Sequence, residues 1–182
     1  MRAALTELSF QRISQMELPV CRFCHELSGT HVRSFFSLVS RVGDGHYLYL
    51  VLGGLLAFLG TGALPVVLHA LAAAALCHVL YKSLKNRTAR VRPFAFAEEM
   101  AEKGFDLTVP PLDKYSFPSG HTLHAVTFAL IVGTHVPTLA WLLVPFAVLV
   151  ALSRLVLGLH YPTDVLAGAA LGASIAFASF QI

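Results

Sequence analysis

The stretch LAWLLVPFAVLVALSRLVLGLHYPTD, residues 139–164, joins an apolar helix pattern to a group of reactive side chains. Its first part, 139–157, carries one charged residue, Arg154, close to its end. An unpaired charge is costly inside a bilayer and is usually kept for function. His160 and Asp164 follow four positions apart, with Pro162 between them. The stretch therefore predicts a membrane-spanning helix that ends in a polar, reactive segment.

The remainder of the chain has the same apolar character. Further apolar stretches run at about 47–60, 64–81, 122–136 and 165–180. Several are shorter than the ~20 residues that usually cross a bilayer, so they extend into flanking residues or thin the bilayer locally. Charged residues make up only 13% of the 182 residues, about half of their share in soluble domains. We therefore predict an all-α integral membrane helical bundle of about five spans, with six as the alternative.

Residues 1–45 depart from this pattern because they mix charges with apolar residues. From Val32 to Val42 the apolar positions recur at helical spacing, and serines and arginines fill most of the rest. This spacing predicts an amphipathic helix at the membrane surface, since Arg33 and Arg41 would make it a poor span. We therefore predict an N-terminal interfacial segment at 1–45 and a membrane domain at 46–182.

Residues 21–25 form the pattern Cys-x-x-Cys-His, which is also the attachment pattern of c-type haem. They lie in a charged segment, and residues 1–20 lack the apolar core and cleavage site of a secretory signal. We interpret Cys21 and Cys24 as a coincidental pair on a surface helix. A haem-binding or scaffold membrane protein is the non-enzymatic alternative.

A second motif, Lys85-x6-Arg92-Pro93, follows the stretch at 64–81. Lys85 and Arg92 are seven positions apart, so a continuing helix would place both on one face. Pro93 would end or bend that helix. Taken alone, the pattern indicates only a basic cluster at the edge of a membrane.

A third motif, Pro118-Ser119-Gly120-His121, precedes the stretch at 122–136. Gly120 would let the backbone approach an anion closely, and the dipole of the helix that follows favours negative charge there. Ser119 adds a hydroxyl donor, and His121 is placed to act as a general acid. Taken alone, this motif is equally typical of an ordinary helix start.

The spacing of His160 and Asp164 indicates a nucleophile with its orienting group. Asp164 can accept a hydrogen bond from one nitrogen of His160, which leaves the other nitrogen free to attack phosphorus. A helix-capping Asp beside an interfacial His is the simpler interpretation, but it leaves Arg154 unexplained. Together, the three motifs supply three cations, two histidines and a carboxylate, which could bind a phosphate, attack it and protonate the leaving group.

The predicted spans place all three motifs on one face of the membrane, because the connectors that hold them alternate with very short ones. With five spans, all 13 Lys and Arg also fall on that face. The positive-inside rule then favours a cytoplasmic site, in what we expect to be a bacterial inner membrane.

The motifs resemble those of the type 2 phosphatidic acid phosphatase (PAP2) superfamily, the lipid phosphate phosphatases, which share their site with vanadium haloperoxidases. The resemblance covers roughly residues 40–182 and fills every signature position in order. It implies that His160 is the nucleophile that forms a phosphohistidine, that Asp164 orients it, and that His121 protonates the leaving group. It also implies that phosphate is bound by Lys85, Arg92, Ser119, Gly120 and Arg154.

We therefore predict that the domain at 46–182 hydrolyses the terminal phosphate of a phospholipid or of a polyprenyl phosphate or diphosphate. The resemblance implies no metal and no other cofactor, since cations and backbone donors can stabilise the charge directly. A lipid phosphotransferase with the same intermediate is the alternative enzyme. The expected partners are a lipid phosphate and the bilayer rather than nucleic acid, because the net charge is only +3 and the basic residues cluster at the motifs. The sequence indicates neither the particular lipid nor the oligomeric state.

Overall fold

The structure, a computed structural model, describes residues 2–100, 105, 107 and 109–181, with side chains from Phe10 onward. These residues form helices and loops and no strand, so the predicted all-α class is confirmed. A 3-10 turn, Gly60–Ala63, joins the third helix to the fourth. The helices are α1 (Arg2–Leu27), α2 (Thr30–Val42), α3 (His46–Leu59), α4 (Leu64–Thr88), α5 (Pro93–Glu99), α6 (Gly120–His135), α7 (Pro137–Val156) and α8 (Pro162–Ser179).

The five predicted apolar stretches correspond to α3, α4, α6, α7 and α8. Among the described residues, three helical stretches are long and apolar enough to cross a membrane: His46–Glu99, Pro137–Val156 and Pro162–Ser179. α6 has 16 residues, fewer than the ~20 that usually cross a bilayer. The number of spans therefore stays a prediction.

α6 is the central helix of the bundle and packs against α4, α7 and α8. Two glycines let α8 approach it closely. A Cβ atom at Gly168 would lie 2.5 Å from the backbone oxygen of Ser119, and one at Gly172 would lie 2.6 Å from that of Leu123. The hydroxyl of Thr127 also donates to the carbonyl oxygen of Gly172 at 3.0 Å. This contact brings the start of α8 beside the start of α6, where two of the motifs lie.

The N-terminal segment contains a long helix, α1, of which the sequence predicted only a surface helix around Cys21 and Cys24. Cys21 is instead buried. The helix covers 26 residues and continues through Pro19, and its mixed charges and interior proline conceal the helical periodicity. α1 packs against α5, α7 and α8. Its side chains reach the motif-bearing end of the bundle, where Glu17 accepts a hydrogen bond from the N–H of Thr163 at 2.8 Å.

The amphipathic helix predicted in the same segment is present as α2, with two of its serines turned inward. Ser37 and Ser40 are buried where α2 packs against α7. Phe35 and Leu38 are 50% and 62% exposed. Outward apolar side chains suit lipid contact, whereas the serines face the interior of the protein.

The first basic motif adopts a different backbone from a continuing helix. α4 ends at Thr88, because Ala89 has a left-handed φ of 48°. Arg92 is extended, and Pro93 begins α5 instead of ending α4. Proline restricts the residue before it to extended backbone and suits the first position of a helix. The expected shared helix face of Lys85 and Arg92 is therefore wrong, and the two side chains meet through the fold.

Candidate active site

The predicted nucleophile, His160, lies in the short loop between α7 and α8 and is 1% exposed. Its Nδ1 atom lies 3.6 Å from Oδ2 of Asp164, and its Nε2 atom lies 3.3 Å from Nη1 of Arg92. The distance to Asp164 slightly exceeds hydrogen-bond length, as catalytic contacts often do before substrate binds. With its proton on Nδ1 toward the carboxylate, the ring presents the lone pair of Nε2 on the side of the cations.

The loop folds the nucleophile back over the end of α7. Gly158 has a φ of +65°, a left-handed conformation that glycine adopts without strain. The N–H groups of Leu159 and His160 then both donate to the carbonyl oxygen of Arg154 at 3.1 Å. This turn places His160, the predicted nucleophile, close to Arg154 in the last turn of α7.

Three buried cations, Lys85, Arg92 and Arg154, surround this loop and are 4%, 2% and 1% exposed. Arg92 donates to the backbone oxygens of Asp113 at 2.8 Å and Leu159 at 2.7 Å. Arg154 donates to the hydroxyl of Ser40 in a very short contact. Because these partners are neutral groups, they fix the two guanidinium groups without cancelling the charge that an anion would meet.

The start of α6 is tied to the start of α8. Ser119 caps α6, since its hydroxyl oxygen accepts from the N–H of Thr122 at 3.5 Å. Its own N–H donates to the backbone oxygen of Asp164 at 3.0 Å. A Cβ atom at Gly120 would lie 3.3 Å from the ring of Tyr81. The glycine therefore lets this ring pack directly on the first turn of α6.

His121 has a carboxylate partner that sequence reasoning missed. Its Nε2 atom forms a very short hydrogen bond with Oδ1 of Asp44. Asp44 stands between Gly43 and Gly45, a sequence that indicates only a helix break. This contact places a carboxylate beside the imidazole of the predicted general acid, where its oxygen can accept a proton carried on Nε2. The sequence did carry a signal for this partner, because Asp44 lies in the Gly43–Gly45 helix break on the membrane face predicted to hold the motifs.

Arg90, inside the spacer of the first basic motif, anchors Asp164 and was also missed. Its Nη1 atom donates to Asp164 Oδ1 and to Thr163 Oγ1, both at 2.7 Å, and its Nη2 atom donates to Glu17 Oε2 at 2.7 Å. The guanidinium group lies 4.0 Å from the ring centroid of Tyr161. The carboxylate that faces the nucleophile is therefore held by a buried network that joins α1 to α8.

Burial and then the charges of Arg92 and Arg154 lower the pKa of His160 well below its ordinary value. The imidazole is therefore neutral near pH 7 and can act as a nucleophile. Burial raises the pKa of the Asp113 carboxyl, but hydrogen bonds and charges of Lys85 and Lys82 outweigh this effect, and the pKa ends below its ordinary value. Asp113 thus remains ionised and bridges the two lysine Nζ atoms at 2.9 and 3.2 Å.

The Cys-x-x-Cys-His segment packs against the loop of the nucleophile. The thiol of Cys21 lies 3.8 Å from the backbone oxygen of His160, and a ring nitrogen of His25 lies 3.0 Å from that of Val156. Within the described ranges, no group of three or more His, Cys, Asp and Glu residues could hold a metal ion. The contacts of Cys21 and His25 tie α1 to the end of α7 and to the loop that carries His160.

The predicted site residues all come to one end of the bundle, although their catalytic and binding roles stay predictions. Four elements contribute: the end of α4, the segment before α5, the start of α6 and the region from the end of α7 to the first turn of α8. The residues brought together are Lys85, Arg92, Ser119, Gly120, His121, Arg154, His160 and Asp164.

The fold and the site define a helical membrane protein with a buried cluster of cations around a histidine and a carboxylate. The sequence profile of the PAP2 superfamily matches residues 63–182, and the chain belongs to this superfamily of phosphatases, which are hydrolases. The chain is also similar to individual phosphatases and to a solved structure.

Over 105 residues it is 41% identical to an undecaprenyl-diphosphatase of Sulfolobus acidocaldarius, a match that covers 57% of this chain and 48% of that protein. Over 145 residues it is 34% identical to a decaprenylphosphoryl-5-phosphoribose phosphatase of Mycobacterium tuberculosis, covering 76% of each. The crystal structure of Aquifex aeolicus LpxE superposes with a TM-score of 0.76 at 26% identity, covering 92% of this chain and 96% of that chain.

The network around Arg90 predicts a positioning role. We expect Arg90→Lys to lower the kcat of phosphate release about 10- to 100-fold, because lysine keeps the charge but cannot bridge three partners, and hydrogen bonds to charged groups have this value. KM should change little, since Arg90 contacts no phosphate-binding residue. Arg87→Lys, an exposed position near the end of α4, is the matched control. A wild-type kcat in a folded Arg90→Lys protein would contradict the role.

The contact between Asp44 and His121 predicts dependence on the leaving group. We expect Asp44→Asn to slow phosphate release from an alkyl phosphate about tenfold, less than the roughly 100-fold or more that a general acid contributes, because His121 itself remains. An activated aryl phosphate needs little protonation, so its hydrolysis should fall less than about twofold. Equal losses on both esters, measured as kcat/KM, would assign Asp44 a structural role instead.

Proposed function

We propose that the chain is a lipid phosphate phosphatase that releases the terminal phosphate of a phospholipid or polyprenyl lipid through a phosphohistidine. The observation that carries the proposal is the position of His160, buried between the carboxylate of Asp164 and the guanidinium of Arg92. A neutral imidazole with one nitrogen directed at a carboxylate and the other at cations is suited to attack a bound phosphate.

In the first step, Nε2 of His160 attacks phosphorus opposite the leaving oxygen. The N–P bond forms as the P–O bond breaks, and the electron pair of that bond stays on the leaving oxygen, which takes a proton from His121. Lys85, Arg92 and Arg154 stabilise the charge on the phosphoryl oxygens, and Asp164 stabilises the positive charge on the ring. These cations supply the electrostatic work that metal ions perform in many other phosphoryl-transfer enzymes.

In the second step, a water molecule attacks the phosphorus of the phosphohistidine. His121, now neutral, takes a proton from this water, and the N–P bond breaks to return His160 and inorganic phosphate. The apolar helices whose ends carry the site, together with polyprenyl-linked substrates in the names of two relatives, support a lipid substrate.

We expect the purified protein to release phosphate in the presence of EDTA from at least one lipid in a panel. The panel contains phosphatidic acid, phosphatidylglycerophosphate, undecaprenyl diphosphate and a lipid A phosphate. His160→Ala should abolish release, because the covalent step is lost, while the protein still elutes as a folded species in detergent. Product analysis with an added lipid alcohol separates hydrolysis from phosphotransfer. Wild-type turnover by His160→Ala would refute the mechanism.

The charge distribution supports a cytoplasmic site in an inner membrane. Lys and Arg side chains cluster on the motif side, and the 3-10 turn Gly60–Ala63 at the opposite end carries none. In a chain with its native cysteines replaced, we expect Lys114→Cys to react with a membrane-impermeant maleimide only in inverted vesicles. Gly62→Cys, the matched position on the opposite side, should react only in right-side-out vesicles. The reverse pattern would place the site outside.

A further inference from the structure

A cavity of about 550 Å³ opens beside the predicted acid, between α3, α4 and α6. His121 and Gly120 line one part of it, and Leu71 and Ala75 line another. The cavity is lined by the predicted acid His121 and not by His160 itself. It therefore adjoins the site next to His121. A general acid donates to the leaving oxygen, so this is the space that the leaving group must occupy.

One face of α4 lines this cavity, and the side chains on that face change from charged to apolar along the helix. Positions 71, 75, 78, 82 and 85 recur at helical spacing and share a face. At 1.5 Å per residue, Lys82 lies about 4.5 Å, His78 about 10 Å and Leu71 about 21 Å along the axis from Lys85. A ligand that extends from the buried cations along α4 therefore passes a further cation, Lys82, and then the imidazole of His78. Beyond them it passes small and apolar side chains.

A second imidazole faces the same space from α6. His124 lies one turn after His121, and its ring centroid is 5.7 Å from that of Tyr81. The ring of His78 approaches Tyr81 from α4 at 5.2 Å. All three side chains line the cavity. Ionisable side chains in membrane helices are rare and usually mark a site for a polar or charged ligand.

Lys82 supplies a positive charge on α4 between Lys85 of the buried site and the imidazole of His78. Its side chain is 50% exposed, and its Nζ atom donates to Asp113 at 3.2 Å. The other oxygen of Asp113 binds Lys85 at 2.9 Å. One carboxylate thus holds a lysine of the buried site beside a lysine of the cavity, and the two cations lie about one helical turn apart. This spacing suits two linked anionic groups.

We propose, on the basis of the proposed phosphatase function, that His78, Lys82 and His124 bind the second phosphate of a lipid diphosphate. The terminal phosphate would lie among Lys85, Arg92 and Arg154, and the inner phosphate next to it on the side of Lys82, with the lipid tail beside Ala75 and Leu71. When His160 attacks the terminal phosphorus, the bond to the bridging oxygen breaks. The electron pair stays on that oxygen, which leaves as part of a lipid monophosphate.

The test compares two substrates that share one tail, farnesyl diphosphate and farnesyl phosphate. We expect the double variant His78→Gln, His124→Gln to lower kcat/KM for the diphosphate about 10- to 100-fold, the value of hydrogen bonds to a charged group. For the monophosphate, kcat/KM should change less than about threefold. His135→Gln, at the far end of α6, controls for the loss of an imidazole. Equal losses on both substrates, or none on either, would overturn the proposal.

A binding measurement separates this proposal from the proposed function. In the His160→Ala background, farnesyl methylenediphosphonate should bind more tightly than farnesyl phosphonate, and the double variant should remove most of that difference. Failure of the wild-type protein to hydrolyse either substrate would count against the phosphatase, while the binding comparison would still decide the second-phosphate site. Equal binding of both phosphonates would overturn that site.

Discussion

The buried carboxyl group of Asp164 is the constraint on which the rest of the site depends. Its Oδ2 atom accepts the N–H of Tyr161 at 2.9 Å and thereby begins α8, while its Oδ1 atom accepts Arg90 at 2.7 Å. Its backbone oxygen accepts the N–H of Ser119 at 3.0 Å. One residue thus starts a helix, fixes the start of a second helix and faces His160. A shift of this residue would disturb all three motifs together.

The arrangement has an electrostatic cost that explains why its cations have so many fixed partners. Lys85, Arg92 and Arg154 are nearly inaccessible to water, and each buried charge costs several kcal/mol in the absence of compensation. Backbone oxygens, the Ser40 hydroxyl and Asp113 offset part of that cost. Because most of these partners are neutral, the site remains short of negative charge. Under the proposed function a bound phosphate would supply this charge, so binding and charge compensation would occur in the same step.

The sequence was sufficient for the helical class, the apolar stretches and the grouping of the motif residues at one end of the bundle. It failed where position depends on tertiary contacts. Arg92 reaches the nucleophile from extended backbone before Pro93, and helical spacing cannot reveal that path. Arg90 lies in a spacer, and its partner Glu17 is 73 residues away in a helix with weak periodicity. Such pairings are made by packing and leave no local pattern in the sequence.

The N-terminal segment makes long-range contacts to several separate parts of the site. Glu17, Ser40 and Asp44 all precede residues 63–182, the part matched by the superfamily profile, and each contacts a different motif-bearing part of the site. The inward position of Ser40 on α2 follows from this arrangement, because its hydroxyl accepts a hydrogen bond from Arg154. The predicted division at residue 45 therefore separates two kinds of sequence that build one site. Changes in this segment can alter how the motif residues are held without changing a motif residue itself.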